Sequence, residues 1–118
     1  MGITVSEIYP DSHWAPYAYI GFIDGDEKNS FRLFVTKFKN YPDGLIAGFE
    51  YFQNGKLIKR GGLLRGISIG STVHFSVSWD RSGTFIFSVL GGEEQTFHTS
   101  LRNVSQTLSV SGARVLFR

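Results

Sequence analysis

From Thr72 to Trp79 apolar and polar residues alternate without a break. Val73, Phe75, Val77 and Trp79 fall on one side of an extended chain, and Thr72, His74, Ser76 and Ser78 fall on the other. Successive side chains of a strand point to opposite faces, so this period of two predicts a strand with one buried face. Thr84 to Leu90 repeats the pattern, with Phe85, Phe87 and Val89 on one side. The buried face also decides how Asp80-Arg81-Ser82-Gly83 joins the two runs. A four-residue loop would set Trp79 opposite Thr84 and throw the apolar rows onto opposite sides of the sheet. A three-residue loop, Arg81-Ser82-Gly83, pairs Trp79 with Phe85, Val77 with Phe87 and Phe75 with Val89, which keeps one apolar face. It predicts a type I turn followed by a bulge, with Gly83 left-handed and Asp80 at the turn start. Trp79 is thereby assigned to the core.

A second hairpin centres on Asn54-Gly55, the dipeptide that best fits a two-residue turn. That turn pairs Phe52 with Leu57, Tyr51 with Ile58, and Glu50 with Lys59, the last an opposite-charge pair that favours the register. Further strands are expected over Ile3 to Tyr9, Tyr17 to Ile23, Phe31 to Phe38, Leu45 to Phe52, Thr96 to His98, Thr107 to Val110 and Arg114 to Phe117. A polar loop, Asp24 to Ser30, and the turn Tyr41-Pro42-Asp43-Gly44 separate the early ones. No window carries a helical stripe. About nine to ten short strands with regular turn signals predict an all-β fold, an antiparallel β-sandwich of the jelly-roll kind. A closed antiparallel β-barrel is the alternative. A length of 118 residues suits one domain, so 1–118 is read as a single β-sandwich domain.

The run Gly70-Ser71-Thr72-Val73-His74-Phe75-Ser76-Val77-Ser78-Trp79-Asp80, followed by Ser82 to Val89, resembles a stretch of the concanavalin A-like lectin/glucanase sandwiches. In those folds a strand ending in Trp, a short Asp/Gly turn and a returning strand precede a Gly-containing turn, the place that Gly91-Gly92 takes here. The closing Val110 to Phe117 is similar to their final core strand. The resemblance implies two curved antiparallel sheets that bind saccharides on a concave face or at rim loops. The close-spaced Glu-x-Asp-x-x-Glu strand of the glucanases is missing, as is the paired Asp and Asn metal loop of the legume-type lectins. Neither glucanase activity nor metal-dependent binding is therefore carried over.

Composition narrows the function classes. With 12 basic and 10 acidic side chains the net charge is only +2, and the nearest approach to a basic patch is Lys56, Lys59, Arg60 and Arg65. Those cations read as the solvated edge of a sheet, and no nucleic-acid partner is expected. There is no Cys, which excludes disulfides, thiolate chemistry and zinc–sulfur sites. No apolar run approaches the length of a membrane helix, and no membrane partner is expected. A signal-peptide pattern is absent too, although a removed signal would leave the same trace, so the compartment stays open.

The chemistry-bearing residues are scattered. Glycoside hydrolysis needs two carboxyl groups facing across a cleft. The strand-borne candidates are Glu7 and Glu50, and Glu50 is expected to be paired with a lysine. Asp24-Gly25-Asp26-Glu27-Lys28-Asn29 could hold calcium, but Lys28 has the wrong charge and the spacing of a helix-loop-helix site is missing, so it reads as a hairpin loop. His13, His74 and His98 are far apart, no Gly-x-Ser-x-Gly elbow is present, and Gly61 to Gly66 lacks the ending of a phosphate loop. No cofactor and no catalytic constellation are read from the sequence. Trp14, Tyr17, Tyr19, Tyr41 and Tyr51 exceed what one narrow core stripe requires, and amphipathic aromatics can form a platform for a sugar ring. The reading is a non-catalytic binding module for a carbohydrate or other small ligand, using Trp14, Tyr17, Tyr19, Glu50, Tyr51 and His74. The alternative is a structural or protein-interaction module that forms a homodimer through an edge strand or an exposed aromatic face, with no small-molecule ligand.

Overall fold

The computed structural model of the protein describes residues 1–9, 15–25, 28–38 and 44–118. Within them lie ten strands: β1 (Gly2–Ile8), β2 (Tyr17–Ile23), β3 (Ser30–Thr36), β4 (Leu45–Gln53), β5 (Lys56–Ile67), β6 (Thr72–Trp79), β7 (Thr84–Val89), β8 (Gln95–His98), β9 (Ser105–Ser111) and β10 (Ala113–Phe117). They form two five-stranded antiparallel sheets, β10-β1-β6-β7-β8 and β5-β4-β3-β2-β9. The sheets pack face to face as a β-sandwich and do not close into a barrel. Most of the turn Tyr41 to Gly44, together with His13, Trp14, Asp26 and Glu27, lies outside the described residues.

The β6–β7 hairpin has the register that a shared apolar face demands: Phe75 opposite Val89, Val77 opposite Phe87, Trp79 opposite Phe85. Gly83 takes φ 85°, its N–H donating to the Asp80 carbonyl at 3.2 Å. Asp80 Oδ1 accepts from the Ser82 hydroxyl at 2.5 Å, the Ser82 N–H at 2.9 Å and the Thr84 N–H at 3.2 Å. The Ser82 hydroxyl, then the Thr84 backbone N–H, hold this carboxyl below the usual carboxylate range.

The β4–β5 hairpin corrects one expected pairing. Asn54 (φ 53°) and Gly55 (φ 77°) make the two-residue turn, and Phe52 faces Leu57 as expected. A bulge then intervenes, so Tyr51 faces Lys59 and Glu50 faces Arg60 rather than Lys59. The reason is steric. Without the bulge Phe49, a core residue, would face Arg60; with it Phe49 faces Gly61, and a Cβ on Gly61 would collide with the Phe49 ring. Gly61 to Gly66 thus belongs to an edge strand.

The core is largely a stack of phenylalanines joining the sheets. Phe31 of β3 lies 4.4 Å from Phe85 and 5.1 Å from Phe87, both of β7, centroid to centroid, and Phe49 of β4 lies 4.9 Å from Phe87. Burying one such ring contributes roughly 1.5–3 kcal/mol against leaving it in water. Trp79 continues the inward row of β6 but is 44% exposed at the rim, which corrects its assignment to the closed core. The two central strands of the second sheet differ from β6. Phe34, Thr36 and Glu50, which point away from the core, are as buried as their inward neighbours.

Candidate functional site

The outward face of the second sheet explains that burial. The inward residues of β2 are Ala18, Ile20 and Phe22, which leaves Tyr17, Tyr19 and Gly21 on the other side. By the same alternation β3 contributes Arg32, Phe34 and Thr36, and β4 contributes Gly48, Glu50 and Phe52. Two glycines let aromatic rings lie down on the sheet. A Cβ on Gly48 would sit 2.8 Å from Phe34 Cζ, and one on Gly21 would sit 2.9 Å from Tyr19 Cε2. Phe34 therefore lies over Gly48, its cross-strand neighbour, and Tyr19 lies back over Gly21.

On this floor the second layer assembles. The Tyr17 ring stacks on Phe34 at 5.7 Å and 22°, and meets Tyr19 edge-on at 5.6 Å. The Arg32 guanidinium lies 4.4 Å from the Tyr19 ring centre and 4.3 Å from that of Phe52, held by the negative faces of both rings. Its Nε donates to Ser30 Oγ at 3.2 Å.

Glu50 is the centre of the cluster. It stands in register between Arg32 on β3 and Arg60 on β5, and is 1% exposed. The Tyr17 hydroxyl donates to its Oε1, while Arg60 Nε and Nη2 donate to Oε2 at 2.9 and 2.5 Å. Burial first, then the bond to Glu50 and its charge, push the Tyr17 phenol well above the ordinary tyrosine range, partly countered by Arg32. Glu50 is the single acidic residue in the five strands of this sheet, which also carry Arg32, Lys56, Lys59, Arg60 and Arg65. Among the described residues, the strands of this face therefore bring no second carboxyl group beside Glu50 for acid–base work. Glu50 is instead a fixed acceptor that orients the groups around it.

Beside Tyr17 the face opens into a pocket of about 430 Å³. Tyr17, Phe34 and the half-exposed Phe38 give it apolar walls, while Thr36, Lys37, Arg60 and Ser111 supply polar groups. This is the usual constitution of a small-molecule site, concave and mostly apolar with a few placed polar groups.

Of the residues singled out in the sequence, Tyr17, Tyr19 and Glu50 come together here. Tyr51 does not. It faces the core, packs edge-on against Phe97 at 5.5 Å, and shares a 2.9 Å hydrogen bond between its hydroxyl and Ser100 Oγ. His74 is exposed on the other sheet, opposite Gly2. Trp14 and Tyr41 lie outside the described residues. Glu7 is at the surface, 4.0 Å from Arg114. In the Asp24 to Asn29 loop, Asn29 Nδ2 donates to Asp24 Oδ2 at 2.7 Å. Among the described residues no three His, Asp or Glu side chains gather as metal ligands would.

Sequence reasoning missed Arg32, Phe34, Phe38 and Arg60. Arg32 had a signal: a lone charge inside Ser30-Phe31-Arg32-Leu33-Phe34-Val35, a strand otherwise fit for burial on both faces. Phe34 and Arg60 had none, since the first reads as core and the second depends on a bulge. No protein-family model matches the chain, and no curated protein matches its sequence.

Proposed function

We propose that the protein is a non-catalytic binding module whose ligand, a carbohydrate or other small molecule, sits in the pocket beside Tyr17. One observation carries the reading. Tyr17 forms a wall of the pocket and is immobilised from two sides, by the Phe34 ring and by its bond to a buried carboxylate. A side chain locked before the ligand arrives loses no rotamer freedom on binding, and such pre-organisation raises affinity. The flat ring suits the apolar face of a sugar or a similar body, and Thr36, Arg60 and Ser111 in the lining supply polar groups beside it. The resemblance to the concanavalin A-like sandwiches favours the same class of function.

The test is a glycan-array and thermal-shift screen of the full chain, repeated on Phe38→Ala. Phe38 lines the pocket but lies outside the Glu50 network, so the variant keeps its own melting temperature. A ligand that raises the melting temperature of the parent chain and not of Phe38→Ala supports the module. Equal shifts in both would sink the placement of the site.

A second reading, a homodimer, is favoured by β9. This strand is an edge of its sheet, and its Leu108 and Val110 are 50% and 46% exposed. An exposed apolar edge strand is a ready partner for another copy. A concentration-dependent dimer in sedimentation that disappears in Leu108→Lys, with no hit in the screen, favours this reading instead.

A further inference from the structure

The rim where Trp79 emerges belongs to neither reading. The indole ring packs on Phe22 at 4.8 Å and on Phe85 at 6.2 Å, both fully buried, so the part that remains exposed is held in place. It borders a pocket of about 690 Å³. One wall is the β6–β7 turn, with Asp80, Arg81 and Gly83; the other is the segment between β8 and β9, with Leu101, Arg102, Asn103 and Val104.

The two walls are tied to each other. The Gly83 carbonyl accepts from the Thr99 N–H at 2.9 Å and the Thr99 hydroxyl at 2.7 Å. Arg102 Nη1 donates to the Ser82 and Leu101 carbonyls, each at 2.8 Å, spanning from one wall to the other. Asn103 sits at φ 53°, a conformation that asparagine tolerates better than most residues. The pocket is thus held by bonds to backbone carbonyls within the chain and does not wait on a ligand to form.

Its chemistry is a fixed aromatic plane with a carboxylate, two guanidiniums and a carboxamide at the border. Asp80 accepts from Ser82 and Thr84 on Oδ1, which leaves Oδ2 to accept from a hydroxyl. Arg81 supplies donors, and Asn103 supplies both donor and acceptor. A ligand that matches must be flat and apolar on one face and carry hydroxyls around its edge. A purely apolar ligand would leave Asp80 and the arginines unanswered, whereas hydroxyls can donate to the carboxylate and accept from the guanidiniums. We propose that this pocket is a second ligand site, distinct from the Tyr17 face, and that it takes a neutral pyranose stacked on Trp79.

The chain has 2 Trp, so Trp14→Phe leaves Trp79 as the sole indole reporter. That variant is titrated with methyl glucosides, galactosides and mannosides and with lactose, cellobiose and maltose, reading tryptophan fluorescence. At least one sugar is expected to give a saturable change. Adding Arg81→Ala and Asn103→Gly, which keeps the left-handed backbone available, is expected to weaken binding at least about tenfold with melting unchanged. Adding Phe38→Ala leaves the titration as it was. No saturable change with any of the sugars, or a change indifferent to Arg81 and Asn103, overturns the proposal. A change abolished by Phe38→Ala overturns it too, and assigns the sugar to the Tyr17 face.

Discussion

Tyr17 bonds to Glu50 over the top of an intervening strand, from β2 across β3 to β4, although the two residues are 33 positions apart. The reach depends on Phe34, which lies flat over Gly48 and gives the tyrosine ring a shelf to lie along. Removing either end exposes a different cost. Tyr17→Phe takes one donor from a buried carboxylate and is expected to destabilise by about 1–2 kcal/mol. Glu50→Ala leaves the Tyr17 hydroxyl and the half-exposed Arg60 without their acceptor, an expected loss of about 2–4 kcal/mol. Urea midpoints at unchanged slope measure both, and a double-mutant cycle isolates the pair. Additive losses would mean that the bond contributes nothing of its own.

The same bond sets a dependence on alkaline pH. Folding favours the neutral phenol, because burial and the Glu50 charge raise the Tyr17 pKa. The contribution is therefore fully present below the unfolded value of about 10, and is lost as pH rises from there through the folded value. The parent chain should lose stability above about pH 10 more steeply than Tyr17→Phe, as read from paired urea melts. Parallel pH profiles for the two proteins would contradict this.

Gly48 and Gly62 face each other across β4 and β5, yet their tolerance should differ sharply. A Cβ on Gly48 would strike the Gly61 carbonyl oxygen and the Phe34 ring, whereas one on Gly62 meets nothing within 4 Å. Gly48→Ala is expected to cost about 2–3 kcal/mol, and Gly62→Ala to lie between neutral and about 1 kcal/mol stabilising. Gly48→Ala should also displace the ring-current-shifted resonances of Phe34 and Tyr17 in NMR spectra. Equal stabilities would refute the steric account.

The hairpin β6–β7 was readable from the sequence because water on one side and core on the other leave a single register open. The same periodicity predicts about nine to ten antiparallel strands but leaves a barrel open beside the sandwich, and only the structure shows ten strands in two sheets. The periodicity failed where both faces of a strand are buried. In Phe49-Glu50-Tyr51-Phe52 no alternation shows which side is inward, so the sequence does not tell that Tyr51 faces the core and packs against Phe97. The Arg60 partner of Glu50 was hidden by a bulge, whose cause is the bulk of Phe49 against Gly61. The exposure of Trp79 has a different cause. Periodicity gives the direction of a side chain, and says nothing about whether the opposite sheet extends far enough to cover it. Tyr17, Tyr19 and Glu50 could be chosen by residue type, but their convergence is a product of three strands laid side by side.

The pairing of β1 with β10 imposes an order on assembly. Strands β2 to β5 follow one another as an up-and-down meander, each closing on a neighbour only a short loop away. By contrast β1 finds its partners in β6 and β10, so Ile3 waits for Val73 and for Phe117. Loop closure over such a separation is slow, and until it happens an apolar strand stands unpaired. Pulse-labelled hydrogen exchange during refolding should find amides of β3 and β4 protected before those of β1. The Tyr17–Glu50 platform would then be among the earliest parts of the molecule to exist, with the edge strand β9 and the first strand arriving last.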